Sequence, residues 1–142
     1  MRVLAALVAL GLATPVAAQE MQPLRDEIAG GAPLSYIATR CSAFFAASAA
    51  HLGEQVDPDM QSQVEMIVGL LMSTGVNAMQ ADGMTHDAAV DAASREVAEL
   101  TAAYHTRFAA NQAADHPAFA EDPLYMADNE DCVSVLAPPP AE

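Results

Sequence analysis

The chain has 142 residues, 19 of them acidic and 5 basic, for a formal charge of −14. So few cations argue against nucleic acid as a partner, because phosphate neutralisation needs Lys and Arg. Hydrophobic residues reach 53 %, too many for a disordered acidic chain, and the length suits one domain.

The N-terminus reads MRVLAALVALGLATPVAAQE. Arg2 is a short positive region, Val3 to Leu12 is an apolar run, and Val16-Ala17-Ala18 places small residues at a cleavage site. The pattern predicts a secretory signal peptide over residues 1–18. The run is about half the roughly 20 residues that a membrane helix needs, and no later segment suggests a membrane span. No cysteine follows the cleavage site, so a lipoprotein is not expected. Cleavage after Ala18 removes 18 of the 142 residues and one of the five cations, leaving about 124 residues and a charge of about −15. The remaining cations are all arginines, at 25, 40, 95 and 107.

Residues 19–32 read as a flexible leader broken by Pro23, Gly30 and Gly31, with room for a short turn at Leu24 to Ile28. A helical bundle domain follows over 33–136, and residues 137–142 form a proline-rich disordered tail. The first bundle helix is expected from about Pro33 to Leu52. Leu34, Ile37, Cys41, Phe44, Phe45, Ser48 and Leu52 recur at three- and four-residue steps and share one face. Gly53 is its stop.

The second helix opens at Asp57-Pro58, an N-cap acid followed by a proline at the first helical position. Met60, Val64, Ile67, Val68, Leu71, Ala78 and Met79 form its stripe. Gly69 and Gly75 weaken it and suit a close contact with a neighbouring helix or another subunit. Gly83 stops it. The third helix starts at Thr85 and carries Val90, Ala93, Val97, Leu100, Tyr104 and Phe108 on one face. Asp91 and Arg95 are spaced to pair. The last helix has a cap and start at Asp122-Pro123, with Leu124, Tyr125, Val133 and Leu136 as apolar positions.

No strand alternation and no internal repeat are present. Short connections favour antiparallel neighbours, so the fold class is all-α, an up-down bundle of three to four helices with one long-range disulfide. Cys41 and Cys132 are the two cysteines, and in an oxidising compartment they have one intramolecular pairing. Cys41 lies about 16 Å below the end of the first helix and Cys132 about 14 Å along the last. An up-down topology therefore brings the sulfurs to one depth.

That topology also gathers His51, His105 and His116 at one end, with Asp57 nearby. These four are the candidate divalent-metal ligands. The alternative is that the histidines merely face helix ends, where a cation suits the dipole. Met60, Met66 and Met72 point in different directions around their helix, so methionine is expected as core filler and not as a copper-binding face. Glu121, Asp122, Asp128, Glu130 and Asp131 make an acidic patch that fits no EF-hand and reads as a solvated face. Arg40, Tyr104 and Arg107 are a candidate polar site, or else simply arginines paired with the plentiful carboxylates. No catalytic motif, haem attachment site or phosphate loop occurs, and no cofactor is expected.

These features point to a non-enzymatic interaction or accessory factor of the bacterial periplasm with a protein partner and an undetermined oligomeric state. In general plan (exported, small, helical, with Cys41 and Cys132 joining distant helices) the chain is similar to the HdeA type of acid-stress chaperone. The likeness lies in the plan, and no residue is carried over from it. It implies a holdase as the alternative function. Divalent-metal binding is the third.

Overall fold

A computed structural model describes residues 21–137. The expected signal peptide and the last five residues of the tail lie outside them. The elements are α1 (Leu24–Ala29), α2 (Leu34–Leu52), a 3₁₀ turn (Gly53–Gln55), α3 (Pro58–Ala81), α4 (His86–Ala113) and α5 (Pro123–Leu136). The described residues contain no strand, and the fold is an all-α bundle. None of its helices is long and apolar enough to cross a membrane.

The helix ends follow local chemistry. The Asp57 carboxylate accepts from the Met60 N–H at 2.9 Å, and Asp122 accepts from Leu124 N–H at 2.9 Å. Thr85 caps α4. Proline follows both aspartates, where its missing N–H costs nothing. Gly53 and Gly83 have φ of 52° and 100°, a region that L side chains rarely enter.

Helix α2 is the centre of the bundle and packs against α3, α4 and α5. The one-faced amphipathic helix expected from its spacing is not what forms. Residues 38–44 are buried in an unbroken run, which covers every direction around the helix. Leu34, assigned to the buried face, is 56 % exposed. Alanine and serine explain the difference. Ala38, Ser42, Ala43, Ala47 and Ser48 are all buried, and their small side chains admit neighbours on all sides.

Helix α3 closes on α2 at Gly75, where an added Cβ would stand 2.9 Å from the Thr39 methyl. The Ser42 hydroxyl donates to the Val68 carbonyl at 3.1 Å across the same contact. Gly69 faces open space instead. Methionine fills the core at Met21, Met72 and Met79. Met60, Met66, Met84 and Met126 remain substantially exposed, contrary to the filler expectation.

Helix α5 runs beside α2, and the Cys41–Cys132 bond joins them with a Cα–Cα separation of 5.3 Å. The described part of the expected leader carries α1, which packs on α5 and places Leu24 in the core. All four phenylalanines and two of the three tyrosines share one aromatic cluster. Phe44 meets Tyr104 at 5.6 Å and Tyr125 at 4.9 Å, and Phe108 meets Phe119 edge-on at 4.9 Å.

Candidate functional site

Two features of the bundle are candidates: a buried polar constellation and an apolar groove. The constellation centres on Arg40. Its guanidinium lies 2.8 Å from Asp128, and the two side chains are 1 % and 0 % exposed. Nε donates to the Tyr104 hydroxyl at 3.2 Å, Nη1 to the Tyr36 hydroxyl at 3.3 Å, and Nη2 also to the Gln22 carbonyl. The Tyr104 hydroxyl donates to the same Asp128 oxygen that Arg40 contacts. The other Asp128 oxygen accepts from the Leu24 N–H at 2.7 Å, at the start of α1. A charge buried this deeply must be fully partnered, and no buried side-chain polar atom among the described residues lacks a partner.

Burial and the Asp128 charge both push the Tyr104 hydroxyl far above its ordinary range. Burial opposes the Arg40 charge, but Tyr104 and Asp128 outweigh it and keep the guanidinium ionised. The Arg40, Tyr104 and Asp128 side chains are buried, and their contacts hold α1, α2, α4 and α5 together.

Arg107, the third residue of the expected polar site, belongs elsewhere. It grips Asp122 through Nε at 2.6 Å and Nη2 at 2.8 Å, and Asn111 donates to the same carboxylate at 2.7 Å. Burial pushes the Asp122 carboxyl up. The hydrogen bonds from Arg107 and Asn111 and the Arg107 charge more than offset that and hold it below the usual range. Arg25 completes the pattern, reaching Glu130 at 2.9 Å and Asp131 at 3.3 Å.

The acidic patch is therefore not a solvated face as a whole. Asp122 and Asp128 are buried, and Asp131 accepts from the Arg25 backbone N–H at 2.9 Å. Three of the four arginines in the described residues bind carboxylates of the α5 segment. Arg95 forms no ion pair with the described residues, and the pair with Asp91 is not made. One signal in the sequence pointed to Asp128. It precedes Cys132 by four residues and so shares its helix face, while Arg40 adjoins Cys41.

The metal candidates do not converge. His51 packs edge-on against Phe119 at 5.0 Å and Phe108 at 5.5 Å. His105 meets Phe108 at 6.2 Å. His116 lines a cavity of about 250 Å³ with Arg107, Asn111 and Asp122. Asp57 is spent on capping α3. No three His, Cys, Asp or Glu side chains among the described residues form a group able to hold a metal ion. The rings of Phe108 and Phe119 pack against His51, and Phe108 also packs against His105.

The second feature is a groove of about 490 Å³ between the C-terminal half of α2 and the N-terminal half of α3. Ala46, Ala49, Ala50, Val56, Val64 and Val68 line it, with Gln61 and Glu65 as its polar side chains. Its cause is local. The α2 alanines are too short to fill the space that α3 leaves before the two helices meet at Gly75. Small apolar walls with few polar groups suit an aliphatic guest. Comparison with protein-family models, curated proteins and solved structures finds no match.

Proposed function

We propose that the protein is a periplasmic, non-enzymatic accessory factor that binds a protein partner by receiving an aliphatic helical segment in the α2–α3 groove. The groove and its lining carry the reading, since an amphipathic helix docks by laying apolar side chains at three- and four-residue steps into such a trough. Export is supported by the N-terminal pattern and by the Cys41–Cys132 bond, because disulfides persist in oxidising compartments.

The chain has no tryptophan, so Val56→Trp introduces a single reporter at the groove. Titration with an alanine- and leucine-rich amphipathic peptide should give a saturable blue shift. Ala49→Leu, which fills the groove, should abolish it. A reporter indifferent to every peptide would remove the reading. Recovery of a chain beginning at Gln19 from the periplasmic fraction tests export.

The second reading is an acid-activated holdase. It is favoured by the arginine–carboxylate contacts that fasten α1 and α5 over the aromatic cluster. Carboxylates protonate below about pH 4, which would loosen this cover while the disulfide keeps α5 attached. Dye binding and client aggregation followed from neutral to strongly acid pH discriminate the two. A protein that stays closed in acid and protects no client is not a holdase.

A further inference from the structure

We infer that α1 is a strap that opens as a unit on a Gly30–Gly31 hinge and so governs the access of a thiol reductant to the Cys41–Cys132 bond. The strap needs neither a groove partner nor acid, so the inference goes beyond both readings above. Six residues are too few for a helix that stands alone. Pro23 offers α1 no side-chain cap, and the acceptors for its first N–H groups come from another helix. Asp128 of α5 accepts from the Leu24 N–H at 2.7 Å, and Asp131 accepts from the Arg25 N–H at 2.9 Å. The Arg25 guanidinium adds Glu130 at 2.9 Å and Asp131 at 3.3 Å, but ion pairs open to water hold weakly. Of the six residues only Leu24 is buried, and Ile28 is 42 % exposed. Segments with so little buried apolar contact open before the rest of a fold. Gly30 and Gly31 follow the helix on the way to α2. Gly31 has a φ of 89° and open space where a side chain would stand, so the chain turns there with little steric resistance.

The inward contacts of the strap fall on the neighbours of the two sulfurs. The Gln22 carbonyl accepts from Arg40, which adjoins Cys41. The Leu24 N–H donates to Asp128, one helical turn before Cys132. Leu24 also belongs to the same buried cluster as both cysteines. Cys41 and Cys132 are 0 % exposed, so thiol exchange has to wait for an opening. Other openings disrupt more. Helix α2 packs against α3, α4 and α5, and α5 is fastened by the Arg40–Asp128 and Arg107–Asp122 pairs. With the strap open, one thiolate of a dithiol such as dithiothreitol attacks a cysteine sulfur and expels the other sulfur as a thiolate. The second thiol of the reagent gives up its proton and breaks the mixed disulfide. The products are two cysteine thiols and the reagent oxidised to its own disulfide.

Two measurements at neutral pH, on the protein expressed from its whole sequence, test the inference. One is amide hydrogen exchange resolved by residue. The other is the rate of reduction by dithiothreitol, with the released thiols trapped by alkylation. The amides of Leu24, Arg25, Gly30 and Ala32, all hydrogen-bonded in the closed strap, should share one protection factor below that of the α2 amides. Arg25→Ala should speed reduction about fivefold. Charge alone predicts the opposite, because Arg25 binds Asp131 beside Cys132 and its loss would slow an anionic thiolate. Gly75→Ala weakens the contact between α2 and α3 without touching the strap, so it should change neither strap exchange nor the reduction rate. Protection that is graded from Leu24 to Ala32, or equal to that of α2, would overturn the inference. So would a reduction rate that ignores Arg25→Ala, or one that rises with Gly75→Ala because reduction follows unfolding of the whole bundle.

Discussion

Arg40 and Asp128 form a buried ion pair of 2.8 Å directly beside the Cys41–Cys132 bond. Arg40 precedes Cys41 by one residue, and Asp128 precedes Cys132 by one helical turn. The covalent bond and the ion pair thus hold α2 and α5 at one point. Removing one partner of a buried pair leaves an uncompensated charge. Asp128→Ala is expected to cost about 3–5 kcal/mol, read from urea denaturation. Asp128→Asn keeps an acceptor for the Leu24 N–H and should fall between wild type and alanine.

The disulfide closes a loop with a sequence separation of 91 residues. In the chain-entropy account its removal costs about 4–5 kcal/mol. Replacing both cysteines by alanine should lower the denaturation midpoint accordingly, and a reducing agent should then have no further effect. Because the bond and the ion pair restrain the same helices, combining these changes with Asp128→Ala should lose less than the sum of the separate losses.

Acid stability turns on Asp122. Its folded pKa lies below its ordinary value of 3.8, so the stability it contributes is present above about pH 4 and is lost as the pH falls through the folded value. Arg107→Gln should therefore lower the melting temperature at about pH 7, and the difference from wild type should shrink as the pH falls below the ordinary carboxylate range. A difference that persists unchanged in acid would show that Arg107 acts through packing and not through the Asp122 charge.

The two α3 glycines should respond with opposite signs. Gly69→Ala meets open space and is expected to gain up to about 1 kcal/mol of helix propensity. Gly75→Ala pushes a methyl within 2.9 Å of Thr39 and should lose about 1–3 kcal/mol by overpacking. Thermal denaturation of both variants checks the pair. Adding Thr39→Ser, which removes the obstructing methyl, should recover part of the Gly75→Ala loss.

Helix boundaries were legible because caps are local. Asp57-Pro58, Thr85 and Asp122-Pro123 each supply an oxygen acceptor or a preset backbone angle within three residues of the helix start. The partners of the acidic patch were not legible. Whether a carboxylate faces water or an arginine depends on which helix comes to lie beside it, and Asp128 is 88 residues from Arg40. The histidines show the same limit. His51 packs on Phe108 and Phe119, and His105 on Phe108, contacts between segments that no local spacing records.

By itself the sequence determined the all-α class, the four long helices with their ends, and the one cysteine pairing open to it. Apolar periodicity, capping and cysteine count act over a few residues or leave a single choice. Only the tertiary structure decided that residues 38–44 of α2 are enclosed on every side and that α1 docks on α5. It alone turned three arginines and the acids around α5 into fasteners. Those outcomes depend on the volumes and charges that distant segments bring to one place, and no local pattern records them.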